Sequence, residues 1–349
     1  MQRSKVVIAD DFEDRRFFVG QPVPYEHSGA KFGDCLARFS SDLDVVLAAD
    51  RADTVRLAPT ADIMVVDKMH KEVFDAAVNL KWVHIASSGA DHFFKRSTVN
   101  ADDFRRRGIA ITTSKGAGSV VIAEQVLCYM LMFSRNMIQC VRQHLVGQWR
   151  RYPGLELCGM TLGLIGVGAI GGRVAHLAKA FGMTVLGCRQ DVSKADPNVD
   201  KMYGADGFAE VMRASDFVLL AIPIKQGTSH IINDKTLALL KPGSFLMNVA
   251  RGECIDESAV VRALGTGQLG GYASDNHGFP KGQVTDENME RLEADSKLWG
   301  MPNVIITPNC SVAGPRRYEY MAKIVSDNHN AMKAGRPMPT RLMWEGAPV

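Results

Sequence analysis

Met160-Thr161-Leu162-Gly163-Leu164-Ile165-Gly166-Val167-Gly168-Ala169-Ile170-Gly171 is the stretch that decides the fold. Its first six residues read as a buried strand, and the next six spell G-x-G-x-x-G. Gly172–Phe181 then places Val174, Leu177, Ala178 and Phe181 on one side of a helix. A glycine-rich turn between a strand and a helix is the context in which this pattern signifies dinucleotide binding. Gly166 permits the tight turn, Gly168 lets the backbone approach a pyrophosphate, and Gly171 lets helix and strand pack closely. Ala169 and Ile170 complete the turn, and the helix N-terminus offers amides and the positive end of a dipole.

Downstream, further strand-like apolar runs follow at Thr184–Gly187, Phe217–Ala221, Ser244–Asn248, Gly271–Ser274 and Val304–Thr307. With Thr161–Ile165 they make six, which fits a doubly wound parallel sheet. Upstream, Lys5–Ala9, Val45–Ala48, Ile63–Val66, Trp82–Ala86 and Ile109–Thr112 alternate with helical patterns such as Lys71–Val78. Ser119–Arg135 reads as a long helix between the two series, with Met130, Met132 and Met137 packing there. A helical tail beyond Ser311, with Met321, Ile324 and Val325 on one face, is expected to fold back on the first series. The expected fold is α/β with two Rossmann-like domains. One is a doubly wound cofactor domain over 116–312. The other is a discontinuous, flavodoxin-like substrate domain formed by 1–115 and 313–349.

In a dinucleotide fold the second strand ends in an acid that hydrogen-bonds the ribose 2′-hydroxyl of NAD. Here Val185-Leu186-Gly187-Cys188 leads into Arg189 instead. A guanidinium suits a 2′-phosphate, because it is always charged and bonds bidentately. NADP is therefore the expected cofactor, with NAD as the alternative.

The bulk properties exclude several classes. At 349 residues the chain is long enough for two cores. A net charge of +3 gives no field that would favour nucleic acid or an anionic membrane. No apolar run reaches the roughly 18 residues of a membrane span. The N-terminus reads as a first strand rather than a signal peptide. The seven cysteines are dispersed, which fits reduced thiols in a cytoplasm. No clustered Cys and His ligands suggest a metal.

Several segments together resemble the D-isomer-specific 2-hydroxyacid dehydrogenases. They are the cofactor segment Thr161–Phe181, the strand ending at Pro223 with Thr228 after it, Asn248-Val249-Ala250-Arg251-Gly252, and Trp299 with Pro302–Pro308. Ser88-Gly89-Ala90-Asp91-His92 resembles the loop whose backbone holds the substrate carboxylate. The resemblance implies hydride transfer between nicotinamide and C2 of a 2-oxo or 2-hydroxy acid, a small carboxylate substrate and a homodimer. It assigns Ser88, Gly89, Ala90 and Arg251 to substrate binding. Pro223, Thr228, Ala250 and Asp275 fall to the cofactor, with Asp275 near the nicotinamide carboxamide.

Such chemistry needs a cation for the carboxylate and carbonyl, an acid/base for the oxygen, and a carboxylate that orients the acid/base. Arg251 matches the first. The family's histidine position after Thr-Pro is occupied by Asn309, and its glutamate position by Pro280. An amide donates a hydrogen bond but delivers no proton. His277, in the altered loop after Asp275, is the expected replacement acid. His92 and Lys115 are weaker candidates for that acid, and Glu287, Glu290 and Glu293 in the longer segment are candidates to fold back in place of the glutamate. The expectation is thus an NAD(P)-dependent oxidoreductase acting on a 2-oxo acid or related carbonyl acid, with Arg251 retained as the cation and altered proton-transfer groups at Asn309 and His277. The competing expectation is a catalytically impaired cofactor-binding sensor or assembly protein.

Overall fold

The structure is a computed structural model that describes residues 3–10, 29–275 and 296–342, with only the backbone described at 29, 30, 91 and 92. The chain forms two compact units, Met1–Gly118 with Ala313–Val349, and Ser119–Val312.

In the first unit, strands β1 (Ser4–Ile8), β2 (Leu43–Leu47), β3 (Ile63–Val66), β4 (Trp82–Ile85) and β5 (Ala110–Thr113) form one sheet. It is parallel throughout, in the order β2-β1-β3-β4-β5. That is the flavodoxin-like order. Successive side chains of a strand face opposite sides. Val6, Ile8, Ile63, Val65 and Trp82 pack with Phe32 and Leu36 of helix α1 (Gly29–Phe39) on one side. Val7, Met64, Val66, Val83 and Ile85 pack with Leu57 of α2 (Arg51–Leu57), Phe74 of α3 (Lys71–Ala76), Phe93 of α4 (Ala90–Arg96) and Phe104 of α5 (Ala101–Arg106) on the other. Both faces are covered, which is why the strands read as unbroken apolar runs. Local signals set the helix starts. Asp50 accepts from the Asp53 amide, and Asn100 and Asp103 form a reciprocal capping box.

The C-terminal helix Arg317–Lys333 packs on α1, burying Tyr318, Met321, Ala322 and Val325. Of the expected apolar face, Ile324 is only partly buried. Arg341 bridges to Thr112, extending the sheet contact of this returning segment.

The second unit opens with α6 (Ser119–Ser134) and α7 (Met137–Leu145). Strands β6 (Thr161–Ile165), β7 (Thr184–Cys188), β8 (Lys201–Tyr203), β9 (Phe217–Leu220), β10 (Ser244–Asn248), β11 (Leu269–Ser274) and β12 (Val304–Ile306) follow, with α8 (Ala169–Ala180), α9 (Phe208–Ala214), α10 (Asp234–Leu237) and α11 (Glu257–Thr266) between them. The sheet order is β12-β11-β10-β9-β6-β7-β8, all parallel. The order reverses between β6 and β9, the switch point of a doubly wound fold. Three expectations need correction. The sheet has a seventh strand, β8, whose three residues are too few to show a pattern. Helix α8 begins at Ala169, not Gly172, so its first amides lie within the glycine turn. Met137 is 43% exposed instead of packed, because it lies on the outer face of α7.

Candidate active site

All strands of the second unit run the same way, so the loops after β6, β9, β10, β11 and β12 gather at one edge of its sheet. The glycine turn occupies the switch point. Gly166 has φ +105°, a conformation that L side chains rarely adopt. A Cβ there would lie 2.5 Å from the Ala221 carbonyl oxygen, so the turn after β6 and the chain leaving β9 approach backbone to backbone. A Cβ on Gly171 would lie 2.2 Å from the Gly166 carbonyl oxygen. At Gly168 a Cβ would meet nothing within 4 Å, and Gly168 and Ala169 are exposed. Ile170 is half-buried behind them. The turn thus leaves open space over the first amides of α8, and no side chain caps that helix. These residues fit a dinucleotide pyrophosphate.

Arg189 directly follows β7 and is half-buried. Its amide donates to the Tyr203 carbonyl, and its Nη1 to the Lys194 carbonyl at 3.1 Å. After β9, Pro223 is exposed at the rim. Thr228 is buried and closes the loop behind it. Its hydroxyl accepts from the Lys225 amide at 2.8 Å and faces the Lys225 carbonyl at 2.9 Å.

After β10, Asn248 ties its own turn. Its Oδ1 accepts from the Ala250 amide at 2.9 Å, and its Nδ2 donates to the Arg251 carbonyl at 3.1 Å. Ala250 is buried, and its carbonyl accepts from Arg251 Nη1 at 2.9 Å. Arg251 itself is half-buried at the sheet edge.

Asp275 ends β11 and is 2% exposed. Its Oδ1 accepts from Thr307 Oγ1 at 2.6 Å, the Cys310 amide at 3.0 Å and the Ser311 amide at 3.2 Å. Its Oδ2 accepts from the Ser311 amide at 3.3 Å and from the Ser311 hydroxyl. The Tyr129 hydroxyl of α6 meets Thr307 Oγ1 on the far side. A carboxylate only accepts, so Thr307 spends its proton on Asp275 and Tyr129 donates to Thr307. Burial pushes the Tyr129 hydroxyl up to about 12, so it stays a donor. Asn309 stands between these contacts in the left-handed region, φ 53°. Its amide donates to the carbonyls of Thr307 and Asp275. Cys310 beside it is exposed, yet partial burial of its thiol and the nearby Asp275 raise the thiol pKa.

The first unit carries its own candidate loop after β4. Ser88 is exposed, Gly89 caps α4, and Ala90 opens that helix. The Ser87 hydroxyl donates to the Gly89 carbonyl at 2.7 Å, and the Ser88 hydroxyl reaches the Ser114 carbonyl at 3.4 Å. Beneath it His84 is fully buried. Trp82 Nε1 donates to Thr112 Oγ1 at 2.7 Å, that oxygen lies 2.7 Å from His84 Nδ1, and His84 Nε2 lies 2.9 Å from Ser114 Oγ. A hydroxyl both donates and accepts, so Thr112 and Ser114 give both imidazole nitrogens of His84 a partner while Thr112 also accepts from Trp82. Burial drives the imidazole pKa down to about 3.

His277, Pro280, Glu287, Glu290 and Glu293 lie outside the described residues, as does the side chain of His92. Lys115 is exposed. Among the described residues no cluster of His, Cys, Asp or Glu is arranged for a metal ion, and no helix is long and apolar enough to cross a membrane. Thr307, Ser311, Tyr129 and His84 were not singled out from the sequence. The only visible sign was polarity inside otherwise apolar runs, as at His84 between Val83 and Ile85.

Residues 127–311 match the model of the D-isomer specific 2-hydroxyacid dehydrogenase NAD binding domain. A glyoxylate reductase of Thermococcus onnurineus is 30% identical over 293 residues, 81% of this chain and 82% of that protein. The chain belongs to the D-isomer-specific 2-hydroxyacid dehydrogenase family. An (S)-sulfolactate dehydrogenase of Chromohalobacter salexigens is 31% identical over 84% of this chain and 91% of its own length. Among solved structures, a D-isomer specific 2-hydroxyacid dehydrogenase family protein of Aeromonas salmonicida superposes with a TM-score of 0.74 at 25% identity, covering 98% of this chain and 99% of its own. The family's two-domain architecture therefore extends to this chain.

Proposed function

We propose that the chain is an NAD(P)-dependent oxidoreductase acting on a 2-oxo or 2-hydroxy acid, with NADP preferred. The observation that carries this is Arg251 at the same sheet edge as an open glycine turn, with Asn309 two strands away. A protein that bound dinucleotide alone has no use for a cation at that edge. Gly166, Gly168, Ala169, Ile170 and Gly171 hold the pyrophosphate, Arg189 the adenosine ribose or its phosphate, and Pro223, Thr228 and Ala250 shape the crevice. When bound, the nicotinamide supplies or accepts the hydride. Arg251 pairs with the substrate carboxylate and polarises the carbonyl, and Asn309 donates a hydrogen bond to its oxygen. The Ser88–Ala90 backbone meets the carboxylate. His277 supplies the proton.

One feature favours the second reading, a cofactor-binding sensor or assembly protein. Asn309 cannot take part in proton transfer. A panel of 2-oxo acids, glyoxylate and hydroxypyruvate among them, assayed with NADPH and NADH by loss of reduced-nicotinamide absorbance, separates the two. Turnover that favours NADPH is expected. Tight cofactor binding without turnover of any acid would support the sensor.

We further propose a cytoplasmic homodimer. Seven unpaired cysteines suit a reducing compartment. Helix α7 exposes Met137, Val141 and Leu145 in one stripe, continued by Trp149 at 94% exposure. Such a patch marks an interaction surface. Sedimentation should find a dimer that Leu145→Glu splits, and a monomeric wild type would remove this assignment.

A further inference from the structure

We infer that His84 is a positioning residue for recognition of the substrate carboxylate, acting through Ser114 on the loop after β4. The inference deepens the oxidoreductase reading above and rests on its assignment of the Ser88–Ala90 backbone to the carboxylate.

A buried imidazole costs free energy unless its nitrogens are paired. His84 is fully buried between Val83 and Ile85, where an aliphatic side chain would bring no polar atoms to satisfy. On the neighbouring strand Thr112 lies opposite it in register, and Ser114, two residues on, shares that face. One ring nitrogen meets each hydroxyl, at 2.7 and 2.9 Å. The Thr112 contact belongs to the sheet core, where Trp82 Nε1 donates to the same oxygen. The Ser114 contact is different, because Ser114 stands just past the end of β5. On the outer edge of β5 the returning C-terminal segment bonds Ile111 and Thr113. Among the described residues none of its hydrogen bonds reaches Ser114. His84 ties down Ser114 from the inside instead.

Ser114 in turn holds the loop. Its amide is shared between the Ile85 carbonyl at 3.1 Å and the Ser87 carbonyl at 3.0 Å. Its carbonyl accepts from the Ala117 amide at 3.0 Å and is reached by the Ser88 hydroxyl at 3.4 Å. The Ser87 hydroxyl donates to the Gly89 carbonyl at 2.7 Å. A chain of bonds thus runs from the buried ring through Ser114 to the backbone of Ser87, Ser88 and Gly89. A carboxylate held by backbone groups depends on where those groups stand before it arrives. Displacing them weakens the contact in ground state and transition state alike, so the loss falls on KM.

Substitutions that separate the two ring nitrogens test this. A glutamine amide stands in for Nε2 and an asparagine amide for Nδ1. His84→Gln should therefore keep the Ser114 partner and a wild-type KM for glyoxylate. His84→Asn and Ser114→Ala should each raise KM about tenfold, the worth of one hydrogen bond. Both should keep kcat and the NADPH dissociation constant within about threefold of wild type. Combined, they should add nothing, since both cut the same link. Trp82→Phe controls for a loosened core, because it removes a buried hydrogen bond to Thr112 and leaves Ser114 its partner. Its KM should not move. A KM in Trp82→Phe as high as in His84→Asn, losses that multiply in the double variant, or a wild-type KM in Ser114→Ala would overturn the assignment. Should His84→Asn fail to fold, Ser114→Ala set against His84→Gln decides it in the same way. A crystal structure of Ser114→Ala gives a readout free of turnover. Displacement of the 87–89 backbone is expected, and an unmoved loop refutes the link. If the wild type reduces no 2-oxo acid, the oxidoreductase reading fails on its own assay while the loop geometry still decides this one.

Discussion

The turn at Gly166–Gly171 and the loop at Thr307–Ser311 sit at the same edge of one parallel sheet, and they are built in opposite ways. The turn is made of backbone. Its glycines remove side chains where the chain after β9 presses in, and the amides at the start of α8 face open space. The loop is made of side chains, with hydroxyls and amides drawn onto the Asp275 carboxylate. A phosphate is recognised by many weakly directional donors, so leaving amides unsatisfied is enough. A carbonyl oxygen needs one donor at one point, and that requires a supporting shell.

The contrast is sharpest at Gly166. Gly166→Val combines a collision with Ala221 and a φ of +105°, each costing on the order of 1–3 kcal/mol, so cofactor affinity should fall more than about a hundredfold in a fluorescence titration. Affinity that survived would mean the turn is not the binding element. Arg189→Asp should swing preference from NADPH to NADH by about ten- to a hundredfold, the worth of a charge-assisted contact. Tighter NADH binding by the unmodified protein would remove Arg189 from cofactor choice.

The first unit offers a third case, a buried side-chain network under the Ser88 loop. His84 ionises near pH 6.5 when unfolded and near 3 when folded. As pH falls below 6.5 the unfolded chain takes up the proton first, so stability is fully present above that value and declines toward pH 3. The slope is about 1.4 kcal/mol per pH unit, or roughly 2 kcal/mol between pH 6.5 and 5. Urea melts of His84→Gln should lack this component. A parallel pH dependence in both proteins would show that another group dominates. The smallest effect is expected at Thr228→Val, about 1 kcal/mol for the loop bonds to Lys225 and Pro223, with kcat nearly unchanged. A large kcat loss there would make Thr228 part of the chemistry.

These regions also differ in what a reader of the chain can find. The glycine turn is contiguous, and strand periodicity on either side gave its context, so the two parallel sheets followed from residues alone. The short edge strand β8 escaped because Lys201-Met202-Tyr203 is held by pairing with β7, not by an apolar pattern of its own. The Asp275 contacts escaped because Tyr129, Asp275 and Thr307 are distant in sequence and meet only once β11, β12 and α6 are assembled. Asn309 was legible as a departure from the family, whereas what holds it was not. His84 was hidden for the opposite reason, since a histidine within an apolar strand reads as core and here also organises a loop.

On the proposed reading, Arg251 and the Asn309 loop make the glycine-turn unit an enzyme for 2-oxo acids. Its most direct test is kcat/KM for a reactive 2-oxo acid with NADPH, measured for wild type and Arg251→Ala alongside the NADPH dissociation constant. Wild-type turnover should be measurable, Arg251→Ala should lose on the order of 2–5 kcal/mol of transition-state stabilisation, and cofactor affinity should be nearly equal in the two. Equal turnover by the two proteins would contradict it.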